Sequence, residues 1–287
     1  MVKKRKIDRV LAWCCLFALV FAFSSCGKKD GKTDDESESE SASESESQSD
    51  TETETFAPTE EDLTPKKRVA FTFDDGPHPV YTKRIVDTAV SHGGQVTFFI
   101  VGNMLARGIS YADAFLYALN AGCEVGIHSY THLNNYDECD EETFLSELSR
   151  TLDAAKACAP DFQTALMRPV GGRISEAFVT LSPYAVVKWN VDTRDWERQG
   201  HATEEAQEAN VELIVQEIVT KAQDGSIILM HDLYENTAIA FERAAEILAD
   251  EGYEFVTVSE LLGDDLQAGK VFSKGKPIPV TEVGGEE

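Results

Sequence analysis

Residues 69–77 read Val69-Ala70-Phe71-Thr72-Phe73-Asp74-Asp75-Gly76-Pro77, an apolar and β-branched run that stops abruptly at two carboxylates and a Gly-Pro turn. Residues 69–73 describe a strand buried on both faces, as in a parallel sheet, rather than the alternating pattern of a half-solvated one. The same arrangement recurs along the chain. Strand-like runs at 95–101, 124–128, 166–168, 185–190, 226–231 and 255–258 alternate with helical periodicity at 82–92, 111–121, 141–157, 211–222 and 238–250. Such alternation predicts an α/β fold of about seven parallel strands, joined by right-handed crossovers and closed into a distorted (β/α) barrel.

In a βα barrel the C-terminal strand ends build the active site. Five polar clusters fall at or just beyond those ends: Asp74-Asp75, His128 with His132, Arg168, Asp195-Trp196 and His231. Alternation aims Asp74 and Asp75 in different directions, so the two carboxylates can hold two jobs, although an Asp pair before Gly-Pro also suits a plain turn or helix cap. His128 and His132 stand at i and i+4, which places both imidazoles on one face of a helical turn; a surface coincidence has the same spacing. With Asp75 they offer two nitrogens and one oxygen, the donor set of an open catalytic metal site.

The remaining clusters also have two readings each. Arg168 precedes Gly171 and Gly172, a guanidinium beside a turn whose glycines can expose backbone N–H groups, or a surface turn. Asp195-Trp196 sets a carboxylate beside an aromatic plane on which a sugar ring could rest, or marks a structural Trp. His231 ends a buried strand and by itself could be a satisfied edge residue. Their common register at strand ends is what joins them into one expected site.

The chain has 287 residues, enough for one large α/β domain. Residues 1–26 have signal-peptide anatomy: a basic start (Lys3, Lys4, Arg5, Lys6, Arg9), an apolar run over 10–23, then small residues before Cys26. That run is shorter than the roughly 20 residues of a spanning helix. Residues 27–65 are Ser, Glu, Asp and Thr with almost no large apolar side chain, a composition that predicts a disordered acidic tether. Residues 66–262 are the expected catalytic domain and 263–287 a C-terminal tail. The net charge of −25 argues against nucleic acid and favours solubility. Downstream of the leader only Cys123, Cys139 and Cys158 remain, which allows at most one disulfide; buried free thiols are expected.

With all five clusters in order, the sequence resembles the polysaccharide deacetylase family, also called the NodB homology domain or carbohydrate esterase family four, over roughly residues 67–262. The resemblance implies removal of acetyl groups from N-acetylglucosamine units in peptidoglycan or chitin-like oligomers. It matches Asp75, His128 and His132 to the ligands of one divalent ion, zinc or alternatively cobalt or another metal. It matches Asp74 to the general base, His231 to the general acid, Arg168 to the partner of the base and Asp195 to the partner of the acid. Trp196 and Leu229 correspond to walls of the acetyl pocket, and the Gly171 N–H to an oxyanion donor. The family usually has Pro and an aromatic residue where Val170 and Gly171 stand. Residues 23–27, Phe23-Ser24-Ser25-Cys26-Gly27, resemble a bacterial lipobox, implying lipidation at Cys26 or else an uncleaved anchor, and so an enzyme held at the bacterial cell surface; a monomer is expected. Its alternatives are an O-acetyl xylan or glycan esterase and a non-catalytic glycan-binding lipoprotein.

Overall fold

The computed structural model describes residues 66–133 and 138–279. The chain runs through β1 (Lys67–Asp74), α1 (Tyr81–Ser91), β2 (Thr97–Ile100), α2 (Ile109–Asn120), β3 (Glu124–Ile127) and α3 (Glu141–Cys158). It continues with β4 (Leu166–Met167), α4 (Glu176–Leu181), β5 (Ala185–Val187), β6 (Val191–Asp192), α5 (Glu204–Lys221) and β7 (Ser226–His231). The last elements are α6 (Glu235–Asp250), β8 (Tyr253–Phe255), α7 (Val258–Leu262), β9 (Val271–Lys274) and β10 (Lys276–Ile278).

The strands form one sheet in the order β10-β9-β5-β4-β3-β2-β1-β7-β6, with β8 beside the start of β1. From β5 through β1 to β7 every neighbour is parallel. The sheet curls until β7 touches β9 at a single antiparallel contact, Ser226 against Lys274. The expected distorted α/β barrel is therefore present as a curled mixed sheet of ten strands rather than about seven, and its distortion has a location. β9 runs parallel to β5 but opposite to β7, so the last seam is a crossing contact rather than another parallel pairing.

Side-chain alternation along the strands sorts residues between two layers. Phe71 and Phe73 face outward and pack with Phe98, Ile100 and the helical Phe241. Their rings meet Phe241 edge-on at 4.8 and 5.2 Å. Ala70 faces inward with Phe99, Leu166, Ala185, Val187, Ile227 and Phe272, and α7 closes this inner cluster with Val258, Leu261 and Leu262. Moving up β1, the inward positions change from Ala70 to Thr72 to Asp74, so an apolar floor gives way to a polar mouth. That gradient is what leaves an acid at the C-terminal end of the barrel.

Several boundaries differ from those read in the sequence. α5 starts at Glu204, where the Thr203 side chain accepts a hydrogen bond from the Ala206 N–H, rather than at 211, because its first turns are polar and carry no apolar period. α4, β6, β9 and β10 are too short for periodicity to mark them. The segment set off as a tail extends the sheet: Val271 and Phe272 are fully buried in β9, and β10 folds back on it. Cys123 is buried, as expected for all three downstream cysteines, but Cys139 and Cys158 are only half-buried. Among the described residues no helix is long and apolar enough to cross a membrane. Cys26 and the leader and tether segments lie outside the described residues.

Candidate metal centre and active site

Asp74 is the last residue of β1, and its register partner on β7 is His231, so the expected base and acid lie side by side on neighbouring strands. Asp75 leaves the strand with φ 74°, while its N–H still donates to the Phe99 carbonyl at 3.2 Å. A left-handed backbone at a non-glycine residue is uncommon and costs free energy, so the rest of the fold must hold it in place. Its effect is to separate the two carboxylates, with Asp74 remaining in the barrel and Asp75 turning towards the loop after β3.

His128 and His132 belong to that loop. The expected helical turn is absent: Ser129 and His132 both have positive φ, 63° and 58°, and the Ser129 Oγ accepts the His132 N–H at 2.9 Å. The loop reverses on itself and brings the imidazoles together by another route, their ring centroids 5.5 Å apart. His128 is buried, and its Nδ1 lies 2.8 Å from the Arg168 carbonyl. A carbonyl only accepts, so Nδ1 donates and Nε2 keeps its lone pair.

Asp75 Oδ1 is 3.4 Å from His128 Nε2 and 3.1 Å from His132 Nε2. The three ligand atoms all lie within 4.8 Å of one another. Despite these approaches Asp75 Oδ1 satisfies no hydrogen-bond geometry and is a buried oxygen without a partner. Such an atom is costly to leave bare, and its separations of 3.4 and 3.1 Å from the two nitrogens match the roughly 3.3 Å between ligands of a tetrahedral ion with bonds near 2.0–2.1 Å. The donor set therefore fits a divalent cation. Burial alone would raise the Asp75 carboxyl, but His132, His128 and His231 together bring it down to about 2. Burial pushes His128 below the usual imidazole range, and Asp75 lifts His132 above it.

Arg168 lies under this centre, fully buried. Its Nη1 donates to Asp74 Oδ1 at 2.8 Å and Thr72 Oγ1 at 2.7 Å, Nε to the Val187 carbonyl at 3.0 Å and Nη2 to the Lys188 carbonyl at 3.1 Å. The guanidinium lies 4.2 Å from the Phe99 ring centre and 5.5 Å from that of Trp189. With Oδ1 held by Arg168, Asp74 Oδ2 lies 3.7 Å from His128 Nε2. Replacing Arg168 by methionine strands a buried carboxylate and is expected to cost about 3–5 kcal/mol of stability. Urea unfolding of the variant beside the wild type measures it.

Across the mouth, Asp195 is fully buried and binds His231 twice. Its Oδ1 lies 2.8 Å from the ring Nδ1, and its Oδ2 accepts the His231 N–H at 2.8 Å and the Thr237 hydroxyl at 2.7 Å. Burial would lower the imidazole, but Asp195, with Asp75 and Asp74 adding to it, pushes His231 up to about 10. Trp196 follows Asp195 and is 46% exposed, whereas Leu229 is buried opposite Thr72. Gly171 is exposed with φ 61°, and Gly172 has φ 70° with the Trp189 ring so close that a Cβ would sit 2.8 Å from it.

The structure brings Asp74, Asp75, His128, His132, Arg168, Asp195 and His231 together as the register of strand ends suggests. Sequence reading missed Thr72, Phe99 and Trp189 around Arg168, and Thr237 beside Asp195. It also missed the role of Asp232, which is fully buried and accepts a hydrogen bond from the Thr82 hydroxyl while burial pushes its carboxyl up to about 7. Alternation could have found Thr72, which lies two residues before Asp74 on the same side of β1. Asp232 directly follows His231, whereas Phe99, Trp189 and Thr237 come from separate elements and carry no local signal.

Residues 61–185 match a family model described as polysaccharide deacetylase. Over 206 residues the chain is 31% identical to PgdA of Listeria monocytogenes, named a peptidoglycan-N-acetylglucosamine deacetylase; the match covers 72% of this chain but only 41% of PgdA, about two fifths of its length. A Bacillus cereus protein named peptidoglycan-N-acetylglucosamine deacetylase is 32% identical over 206 residues, 69% of this chain and 89% of its own. The solved structure of peptidoglycan deacetylase PdaC from Bacillus subtilis aligns with a TM-score of 0.61 at 31% identity, covering 68% of this chain and 89% of that one. Sheet, site and sequence agree: the chain belongs to the polysaccharide deacetylase family.

Proposed function

We propose that this protein is a metal-dependent deacetylase that hydrolyses the N-acetyl group of N-acetylglucosamine residues in peptidoglycan. The observation that carries the reading is the buried, unpartnered Asp75 Oδ1 facing two imidazoles, with Asp74 and His231 as register partners beside it. Asp75, His128 and His132 would hold the ion, which we take to be zinc, although the same donors accept cobalt and other divalent metals. When bound, such an ion polarises a carbonyl and lowers the pKa of water towards neutrality.

The chain's own groups divide the remaining work. Asp74, held by Arg168 through one oxygen, accepts the proton of the attacking water. The N–H of Gly171, an exposed residue, would meet the negative charge that builds on the former carbonyl oxygen. His231 carries a proton at Nε2, because Asp195 occupies Nδ1, and delivers it to the leaving nitrogen as the C–N bond breaks. Acetate and a free amine result. Trp196 offers an exposed ring for a sugar face, and Leu229 a buried wall for the acetyl methyl.

Peptidoglycan is favoured by the activities for which the relatives above are named and by the leader sequence. We place the enzyme outside the cell, tethered through residues 27–65 and lipidated at Cys26, probed by lipid labelling that Cys26→Ala removes. The assay for the reaction supplies N-acetylglucosamine oligomers, peptidoglycan and O-acetylated xylan in turn and follows acetate and free amine by mass spectrometry. Amine appearing in step with acetate supports the proposal. Acetate released from the O-acetylated glycan alone replaces it with an esterase, and no release from any of them, with metal supplied, leaves a glycan-binding protein.

A further inference from the structure

The segment that carries the two histidines is clamped from two sides. On one side Gly102 N–H donates to the Ser129 carbonyl and Asn103 N–H to the Tyr130 carbonyl, both at 3.0 Å. A Cβ on Gly102 would lie 2.6 Å from the Tyr130 ring, so that turn and the loop are in direct contact. On the other side a single atom, Glu147 Oε2 on α3, accepts the Tyr130 N–H at 2.8 Å, the Thr131 N–H at 2.7 Å and the Thr131 hydroxyl at 3.0 Å. Glu147 is 4% exposed, unusual for a helical glutamate, and its other oxygen lies 3.6 Å from Arg150, whose guanidinium stacks on Tyr130 at 3.8 Å.

The loop needs such a partner. Positive φ at Ser129 and His132 costs free energy, and a backbone turned this way points successive amides outward, where they need an acceptor. One carboxylate oxygen meets two successive amides and a hydroxyl, a convergence that fixes the plane of the loop as well as its position.

We infer that Glu147 is a positioning residue for the metal centre, holding the 129–132 turn from α3 so that His132 and His128 face Asp75 together. It touches neither substrate nor ion and acts through the loop backbone. The inference rests on the proposed metal centre and adds to it a determinant of metal affinity some fifteen residues beyond the ligands, on a different element.

The test measures zinc dissociation constants by chelator competition, together with melting temperatures of the zinc-free proteins, for wild type, Glu147→Ala, Glu147→Gln and Leu148→Ala. Loss of a group that orients a ligand costs about 10–100-fold in metal affinity, the rise expected for Glu147→Ala. Glutamine keeps one acceptor oxygen for three donors and should fall between alanine and wild type. Leu148 is buried in the apolar cluster on the neighbouring face of α3, so Leu148→Ala should lower the melting temperature and leave zinc affinity unchanged. A purely structural role for Glu147 would give the Leu148 pattern, and wild-type zinc affinity in folded Glu147→Ala overturns the inference. If alanine prevents folding, Glu147→Gln decides alone: weakened binding supports the clamp and unaltered binding overturns it. Wild-type protein that binds no zinc removes the metal centre itself, an outcome separate from variants that bind as wild type does.

Discussion

Replacing Asp75 with alanine is expected to end both zinc binding and acetate release. The loss should exceed the roughly 10–100-fold typical of an outer-sphere partner, because Asp75 supplies the single oxygen of the ligand set. His128 and His132 would remain, but their Nε2 atoms face Asp75 Oδ1, and without it no anionic ligand stands between them. A second readout needs no substrate. An ion that binds only the native state stabilises it by about 2.7 kcal/mol at a hundredfold excess over its dissociation constant, so zinc should raise the melting temperature of the wild type and leave that of Asp75→Ala in place. A variant that still gains stability from zinc would move the ligand set elsewhere.

Replacing His231 with alanine is expected to cut turnover by about 10²–10⁴-fold, the usual contribution of a general acid. The pH dependence is the sharper test of its role. His231 is held up to about 10, so the imidazolium is present throughout the neutral range and is lost only as pH climbs through that value. Activity should therefore fall on an alkaline limb. Asp195 makes the largest contribution that raises it, and Asp195→Asn should move the limb towards neutral pH. A bound cation would offset the part owed to Asp75 and Asp74, placing the limb of the loaded enzyme lower while leaving the direction of the Asp195→Asn shift the same. The linkage has a definite sign. With a folded value above the unfolded one near 6.5, the stability that this pair contributes is complete below about pH 6.5 and disappears as pH rises through the folded value. An alkaline limb that stays put in Asp195→Asn would contradict the assignment of acid and partner.

What could be read from sequence follows from how local each signal is. β1 and β7 are visible because a buried parallel strand is a continuous apolar run, and their polar ends, Asp74 and His231, are adjacent in register as well as in kind. The strand count was legible only approximately: β9 supplies two fully buried residues and closes the sheet, yet a four-residue strand well beyond the last helix looks like a tail. The ligand trio was legible as a set of residue types, whereas its geometry was not. An i, i+4 spacing suggests one helical turn, and the loop instead reverses through left-handed residues at Ser129 and His132. The supports were the least legible part. Arg168 announces itself by charge at a strand end, but Phe99, Trp189 and Thr237, like Glu147, meet the site from elements that are distant in sequence and whose own patterns speak only of helix or strand.

Asp75, His128 and His132 are expected to share one divalent ion. Anomalous diffraction at the zinc absorption edge, from crystals of the zinc-loaded protein, tests it directly. One strong peak is expected about 2.0–2.2 Å from an Asp75 carboxylate oxygen and from Nε2 of both histidines. A peak that leaves out any of the three, or density showing Asp75 turned away with its oxygen hydrogen-bonded elsewhere, would contradict it.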